Sequence, residues 1–304
     1  MIYKEYLSCR ICPRSCGINR YEITGHCGAG HEMSVSKIML HRWEEPPVSG
    51  YGKDDDAERG SGAIFFTHCP LGCVYCQNNR ISSPTSPDYV YSPEALACEM
   101  LTLEKSGAYN INLVSPTHYT PNIIKTVALA RERGLSVPII WNTGGYETSQ
   151  TIRSLLGTVD IFLTDYKYHS PELSKKYSAA EDYPKTALSA LCEMYAVAGK
   201  AEFDSDGMMK KGVIVRHLVL PSHRNDSISA LCDIANTVPV EGIRLSLMAQ
   251  YTPDFLADKH KYHEIARKIT SYEYASVVKE AIRLGFEGYI QERSSATKTF
   301  TPDF

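Results

Sequence analysis

Three closely spaced cysteines stand in Thr67-His68-Cys69-Pro70-Leu71-Gly72-Cys73-Val74-Tyr75-Cys76-Gln77-Asn78, a C-x3-C-x2-C run directly after the apolar segment Ala63-Ile64-Phe65-Phe66. Three thiolates on one loop can hold three irons of a four-iron cube and leave the fourth open, whereas the usual ferredoxin spacings supply four cysteines and close the cluster. An open iron can bind and reduce a ligand. A zinc loop and unrelated buried thiols are the alternatives. Zinc sites usually show paired C-x2-C knuckles or Cys/His pairs, and this loop has one C-x2-C with an extra cysteine upstream. A second group, Cys9, Cys12, Cys16 and Cys27, is spaced x2, x3 and x10. Four cysteines make a closed coordination sphere, which suits a structural metal. Zinc and an iron-sulfur cluster both fit: Gly17 and Gly28 leave backbone amides free to bond sulfur, and C-x2-C-x3-C is denser than most zinc knuckles. The remaining Cys98, Cys192 and Cys232 fall at apolar-face positions of predicted helices and read as small core residues.

The elements that must carry these groups divide the chain in two. Residues 1–45 hold the cysteine quartet among glycines and keep no helical or strand period, so they read as a small metal-stapled module without an apolar core of its own. Glu44-Glu45-Pro46-Pro47 and the acidic stretch from Ser49 to Asp56 read as irregular and exposed. From residue 62, strand and helix signals alternate. Predicted strands cover 63–67, 109–115, 137–141, 159–164, 213–220 and 243–248, with a last short one at 288–291. Helices open at Ser92-Pro93, Thr120-Pro121, Ser149, Ser170-Pro171, Tyr183, Ser227 and the Thr270-x-x-Glu273 capping box. Such alternation predicts parallel βαβ units, an α/β core over residues 46–304. In a parallel barrel the functional groups sit at the C-terminal ends of strands. Those positions carry the cysteine loop, Ser115-Pro116-Thr117-His118, Asn142-Thr143-Gly144, Asp165-Tyr166-Lys167 and Arg216-His217. Residues adjacent in a strand face opposite ways, and Arg216 is expected to point inward with His217 outward.

Composition excludes several function classes. The 304 residues are 43% hydrophobic and 22% charged with a net charge of −3, ordinary for a globular enzyme. Nothing suggests a nucleic-acid surface or a basic amphipathic membrane helix, and no apolar run approaches the roughly 18 residues of a spanning segment. The start of the chain lacks the apolar stretch of a signal peptide. With seven of ten cysteines in two tight groups, metal binding is a better account than disulfides, and a cytoplasmic, oxygen-sensitive protein is expected.

The cysteine loop resembles the cluster loop of the radical S-adenosylmethionine (AdoMet) superfamily, down to the aromatic Tyr75 before the last cysteine. The resemblance implies a partial TIM-like (βα)6 barrel, here with a small cysteine-rich N-terminal extension. It implies a [4Fe-4S] cluster on Cys69, Cys73 and Cys76, AdoMet chelated to the open iron by its amino and carboxylate groups, and Tyr75 near the adenine. It also implies an electron from flavodoxin or ferredoxin, and cleavage of AdoMet to methionine and a 5′-deoxyadenosyl radical that abstracts hydrogen. Within the superfamily the chain looks like the pyruvate formate-lyase activating enzymes, which act on glycyl-radical enzymes. Asn142 with Gly144 is similar to their Asn-Gly pair near the ribose, and Asp165-x-Lys167 to their Asp-x-Lys near the methionine moiety. Val215-Arg216-His217-Leu218-Val219-Leu220-Pro221 is similar to their arginine-bearing strand.

One motif departs from that pattern. The family's Gly-Gly-Glu, which holds the AdoMet amino group, is replaced by Val114-Ser115-Pro116-Thr117-His118. Ser115 and Thr117 are expected to serve as neutral acceptors in its place. Lys167 or Arg216 should then face the AdoMet carboxylate, since cations hold it best. The resemblance implies a glycine on a partner glycyl-radical enzyme as substrate. The alternatives are another peptide or a small metabolite under the same chemistry, or a non-enzymatic protein with two structural zinc sites.

Overall fold

The computed structural model describes residues 2–50, 59–82 and 89–291. Ten strands form one sheet system: β1 (Met33–His41), β2 (Gly60–Phe66), β3 (Tyr89–Tyr91), β4 (Ala108–Val114), β5 (Ile139–Thr143), β6 (Ile161–Asp165), β7 (Glu202–Phe203), β8 (Met209–Leu218), β9 (Arg244–Met248) and β10 (Gly288–Ile290). Their order is β10-β9-β8-β6-β5-β4-β2-β1-β3, with β7 paired to β8 alone. From β2 to β10 every neighbouring pair on this path is parallel, while β1 runs antiparallel to β2 and β3. The parallel strands are those the alternating pattern predicts. The sheet remains an open path rather than a ring, but residues of β2, β4, β5, β6, β8, β9 and β10 line a single cavity, so it curls around its interior as a partial barrel.

Among the described residues ten α-helices accompany the strands: α1 (Lys4–Leu7), α2 (Pro46–Ser49), α3 (Asn79–Ser82), α4 (Pro93–Lys105), α5 (Thr120–Glu132), α6 (Ser149–Arg153), α7 (Pro171–Ser178), α8 (Tyr183–Ala198), α9 (Arg224–Thr237) and α10 (Ser271–Arg283). Their starts have the expected chemistry. Ser92 caps α4 by accepting from the Ala95 N–H, Ser170 caps α7 by accepting from Leu173, and Thr270 with Glu273 closes a reciprocal capping box on α10. Alternate strand residues face opposite layers. Ile111, Leu113, Ile139, Trp141, Val213 and Val215 pack outward in the helix-covered core, while Ile140, Ile161, Leu163 and Ile214 fill the inside. Burial on both faces explains why these strands read as nearly continuous apolar runs.

Three regions differ from the sequence expectation. First, β1 lies within the segment assigned to the N-terminal module, yet it pairs along β2, so the sheet already begins at Met33 and not after residue 45. A bulge between Val35 and Lys37 interrupts its two-residue period, which hides the strand from a periodicity reading. What precedes it does assemble a miniature core, with Tyr6, Cys9 and Ile11 buried together.

Second, the Glu44–Gly50 stretch is not an exposed loop. Glu45, Pro47, Val48 and Ser49 are buried, and Val48 plugs the barrel interior against Ile140, Ile161, Leu163 and Ile214. Asn110 on β4 fixes this plug by donating to the Val48 carbonyl at 2.7 Å. The remainder of the predicted acidic loop, residues 51–58, lies outside the described residues.

Third, Cys98 and Cys192 are exposed and Cys232 is half-buried, so these are not core residues. The apolar stripes of α4, α8 and α9 run through Ala97, Leu191 and Leu231, one position before each cysteine.

Candidate functional site

The cysteine loop leaves the end of β2 through two left-handed residues, His68 (φ 74°) and Gly72 (φ 67°). Backbone bonds pin it on several sides. The Val74 N–H donates to Tyr177 O at 2.9 Å, the Ala257 N–H to Val74 O at 2.8 Å and the His68 N–H to Ile81 O at 2.7 Å. Each sulfur has a polar neighbour. The Leu71 N–H reaches Cys69 Sγ at 3.5 Å, the Ser178 hydroxyl donates to Cys73 Sγ at 3.0 Å, and the Ser82 hydroxyl lies 3.7 Å from Cys76 Sγ. Tyr75 is buried and linked to this shell: its hydroxyl is 2.6 Å from that of Tyr168, which is 2.8 Å from Ser178 Oγ. Tyr75 therefore joins a hydrogen-bonded chain that ends on a cysteine sulfur.

Burial, and then the mutual repulsion of the three sulfurs, pushes the Cys69 thiol up to about 12, and burial raises Cys76 as well. Thiols grouped in this way ionise together only around a strongly positive partner, and a coordinated metal deprotonates a thiol outright. Among the described residues no three His, Cys, Asp or Glu side chains gather as ligands of a single ion.

Cys69, Tyr75, Cys73 and Cys76 face a cavity of about 840 Å³ whose floor is polar. That floor is written into strand register. Asp165, Arg216 and Ser246 are direct neighbours across β6, β8 and β9 and share the inner face. Asp165 Oδ1 accepts from Arg216 Nε at 2.8 Å and Oδ2 from Lys167 Nζ at 2.5 Å. Arg216 also donates to Asn142 Oδ1 at 2.6 Å, and its Nη1 lies 3.5 Å from Glu44 Oε2. Asn112 and Asn142 donate to Glu44 Oε1 at 3.1 and 3.3 Å. Burial alone would raise Asp165, but Arg216 and Lys167 outweigh it and hold the carboxyl below its usual range. Burial disfavours the charge on Lys167 and Arg216, yet Asp165 keeps both raised and cationic.

The structure thus brings Tyr75, Ser115, Asn142, Asp165, Lys167 and Arg216 together with the three cysteines on one cavity. Arg216 points inward and His217 is buried on the outer side, its Nδ1 2.6 Å from Tyr166 O. Two refinements follow. Both cations already have partners in the protein, so Arg216 is foremost the brace of the floor. Thr117 does not line the large cavity. It lies on a small adjoining one of about 20 Å³, room for roughly one water.

That small cavity contains a residue the sequence reading missed. Glu147, 1% exposed, accepts hydrogen bonds on Oε1 from Thr117 Oγ1 at 2.7 Å and from Thr143 Oγ1, while its Oε2 is buried with no partner among the described residues. Burial pushes its carboxyl up to about 7, against the lowering effect of the two threonines. Cys69, Leu71, Ser115 and Gly144 form the other walls. Two glycines permit this packing. A Cβ on Gly144 would come 2.9 Å from Leu71 Cδ1, and one on Gly145 (φ 81°) would sit 2.2 Å from Asp165 O. The signal available in sequence was a carboxylate on the loop after β5, just beyond Gly144-Gly145. Glu44 and Glu45 were missed because Pro46-Pro47 marked them as loop. His118 is buried with Nε2 2.9 Å from Thr67 O; burial and Arg20 lower it to about 3, so it stays neutral.

The cysteine quartet packs beside this centre. Burial, with the neighbouring thiols adding, pushes Cys12 up to about 12 and raises Cys27. Arg14 ties the module to the cysteine loop by donating to Pro70 O at 2.9 Å and to Ala179 O at 2.6 Å. Arg20 lies between Tyr6 and Tyr119 and donates to His118 O and Gly30 O.

No protein-family model matches the chain. An uncharacterized protein of Methanocaldococcus jannaschii is 27% identical over 276 residues, covering 88% of this chain and 72% of that protein. Among solved structures, Streptococcus suis SuiB bound to S-adenosylmethionine is similar, with 12% identity, a TM-score of 0.50 and 74% of this chain covered. A radical SAM methyltransferase from Sphaerobacter thermophilus is similar at 12% identity and a TM-score of 0.51, covering 86% of this chain and 77% of that one. The chain spans about half, 48%, of the length of SuiB. These likenesses show the fold alone: a partial α/β barrel similar to those of these two structures. No helix among the described residues is long and apolar enough to cross a membrane.

Proposed function

We propose that this protein is a radical AdoMet enzyme. The observation that carries the reading is the three-thiol loop opening on a polar-floored cavity of about 840 Å³, near the upper end of the roughly 300–1,000 Å³ of small-molecule sites. Cys69, Cys73 and Cys76 would hold a [4Fe-4S] cluster. When bound, that cluster with AdoMet on its open iron supplies one-electron reductive cleavage of AdoMet, the source of a 5′-deoxyadenosyl radical for hydrogen abstraction.

The chain's own groups orient the ligand and exclude water. Tyr75 flanks the adenine side and Asn142 the ribose. Lys167, held by Asp165, presents its charge toward the carboxylate, and Arg216 keeps Asp165 and Asn142 in register. Glu147, in the one-water cavity behind Ser115, takes the ammonium role left vacant by the missing Gly-Gly-Glu through a bridging water, with Thr117 and Thr143 aiming its carboxylate. Flavodoxin or ferredoxin is the electron donor. The N-terminal quartet holds a second metal, zinc or an iron-sulfur cluster.

The resemblance to pyruvate formate-lyase activating enzymes supports a glycyl-radical enzyme as partner. The departure at Ser115–Thr117 equally supports another peptide or a small metabolite as the substrate. Anaerobic reconstitution with iron and sulfide, metal analysis and AdoMet cleavage under dithionite test the proposal. The wild type is expected to cleave AdoMet, and Cys73→Ala to lose all cleavage. Zinc at both cysteine groups with no cleavage would instead identify a protein with two structural zinc sites.

A further inference from the structure

The three sulfurs of the cysteine loop are served unequally. Ser178 Oγ lies 3.0 Å from Cys73 Sγ, whereas Ser82 Oγ is 3.7 Å from Cys76 Sγ and the Leu71 N–H is 3.5 Å from Cys69 Sγ. A metal-bound sulfur carries no hydrogen and can only accept, so Ser178 is the donor to Cys73. Its one hydroxyl hydrogen is then spent. Tyr168, 2.8 Å away, must donate to Ser178, and Tyr75, at 2.6 Å, to Tyr168. Hydroxyls in series polarise one another, here toward the sulfur. Ser178 is wholly buried, so the bond is closed off from bulk solvent.

What holds Ser178 there comes from the N-terminal module. Ser178 is the last residue of α7, and a helix end leaves carbonyls without intrahelical partners. The Val74 N–H takes Tyr177 O at 2.9 Å. Arg14 takes the next two carbonyls, with Nη2 donating to Ser178 O at 3.3 Å and Nη1 to Ala179 O at 2.6 Å. Ala179 is left-handed (φ 50°), which a residue with a Cβ adopts only at a cost. The third nitrogen, Nε, donates to Pro70 O at 2.9 Å, between Cys69 and Cys73. One guanidinium thus grips both the loop that carries Cys73 and the helix end that carries the hydroxyl aimed at it. Arg14 itself stands midway between Cys12 and Cys16, in a stretch anchored where Thr151 Oγ1 donates to Ile11 O at 2.5 Å.

We propose that Arg14 is a positioning residue for the loop cluster: it holds Ser178 against Cys73 and through that bond sets the cluster's reduction potential, which makes the N-terminal module part of the redox centre. The inference rests on the radical-AdoMet reading for the cluster on Cys69, Cys73 and Cys76. Reduction adds negative charge to the cluster, and a donor on a sulfur stabilises the more negative state, so a hydrogen bond to sulfur raises the potential. Losing the Ser178 bond lowers it.

The test is a redox titration of the reconstituted, oxygen-free protein followed by electron paramagnetic resonance. The signal read is the one that Cys73→Ala abolishes, so iron held elsewhere is not counted. Ser178→Ala and Arg14→Ala should each lower the midpoint potential, by up to roughly tenfold in the equilibrium for reduction, about 59 mV for one electron. The double variant should fall no further than Ser178→Ala alone, because Arg14 acts through Ser178. Additive shifts would mean that Arg14 acts by its charge through space, and would overturn the proposal. Arg14→Lys keeps the charge and loses the fork, so its potential should still be lowered, and a wild-type value there overturns the proposal as well. Cys12→Ala, which loosens the module around Arg14, should repeat the Arg14→Ala shift. An unmoved potential in Ser178→Ala, Arg14→Ala or Cys12→Ala counts against the assignment in the same way. AdoMet cleavage is followed separately. A cluster with these shifts but no cleavage sinks the AdoMet reading alone, a cleaving enzyme with unshifted potentials sinks the Arg14 assignment alone, and a wild type that assembles no cluster sinks both.

Discussion

The two cysteine groups set the same sulfur atoms in different surroundings. In each, burial raises thiols well above their ordinary range, up to about 12 at Cys12 and at Cys69. Yet Cys69, Cys73 and Cys76 all face the large cavity, while none of Cys9, Cys12, Cys16 and Cys27 lines it or the small cavity beside it. The quartet, with Cys9 and Cys12 buried and Cys16 and Cys27 half-buried, is tied by its own backbone: the Cys9 N–H donates to Ile18 O at 2.9 Å, Gly17 to Cys9 O at 2.8 Å and His26 to Cys16 Sγ at 3.4 Å. A metal held on the cavity could meet a ligand, and one held away from it would serve the chain around it. The difference is made by what lies in front of the sulfurs, not by the sulfurs.

That contrast can be broken most forcefully at the closed group. Structural metal sites contribute up to about 10–16 kcal/mol of folding free energy in small modules. Cys12→Ala should therefore release the module's metal and open residues 2–32 to limited proteolysis, with the visible signal of the loop cluster retained. Unchanged metal content would mean the quartet is no site at all.

A smaller effect is expected on the floor of the open group. Arg216→Ala leaves Asp165 with Lys167 alone and Glu44 without its cation, and breaking a buried pair from one side costs about 3–5 kcal/mol. Denaturant unfolding should show that loss, and Arg216→Lys should recover only part of it because it lacks the planar fork. If stability were unchanged and only AdoMet affinity fell, Arg216 would be a ligand-holding group and not a brace.

The finest test is at Glu147. Replacing an acceptor of a charged donor costs about 1.5–3 kcal/mol, so Glu147→Gln should weaken AdoMet binding roughly tenfold to more than hundredfold. Thr117→Val, which only aims the carboxylate, should act in the same direction and less. Titration of the reconstituted protein checks both, and unchanged affinity in Glu147→Gln would return the ammonium role to Ser115.

Most of the barrel was legible because its strands are buried on both faces and its helices carry local caps at Ser92, Ser170 and Thr270. The misses have a common cause in non-local geometry. Strand β1 lost its period to a bulge, and the Glu44–Gly50 plug was judged on its prolines although what buries it lies far along the chain at Asn110, Ile140 and Ile214. Glu147 was passed over because nothing in Gly144-Gly145-Tyr146-Glu147 announces that Thr117, some thirty positions earlier, will hold its carboxylate.

The sequence by itself determined the parts whose chemistry is contiguous: the C-x3-C-x2-C loop, the quartet spacing, and the alternation that requires a parallel sheet. Short spacing fixes which sulfurs can share a centre, whatever the rest of the chain does. Tertiary structure decided the electrostatics around them. Only the register of β6, β8 and β9 sets Asp165, Arg216 and Ser246 side by side, and only the inward fold of the segment after β1 brings Glu44 to Arg216. Charges act through space and not along the chain, so which cation answers which carboxylate became definite only when distant strands were brought within a few ångströms of one another.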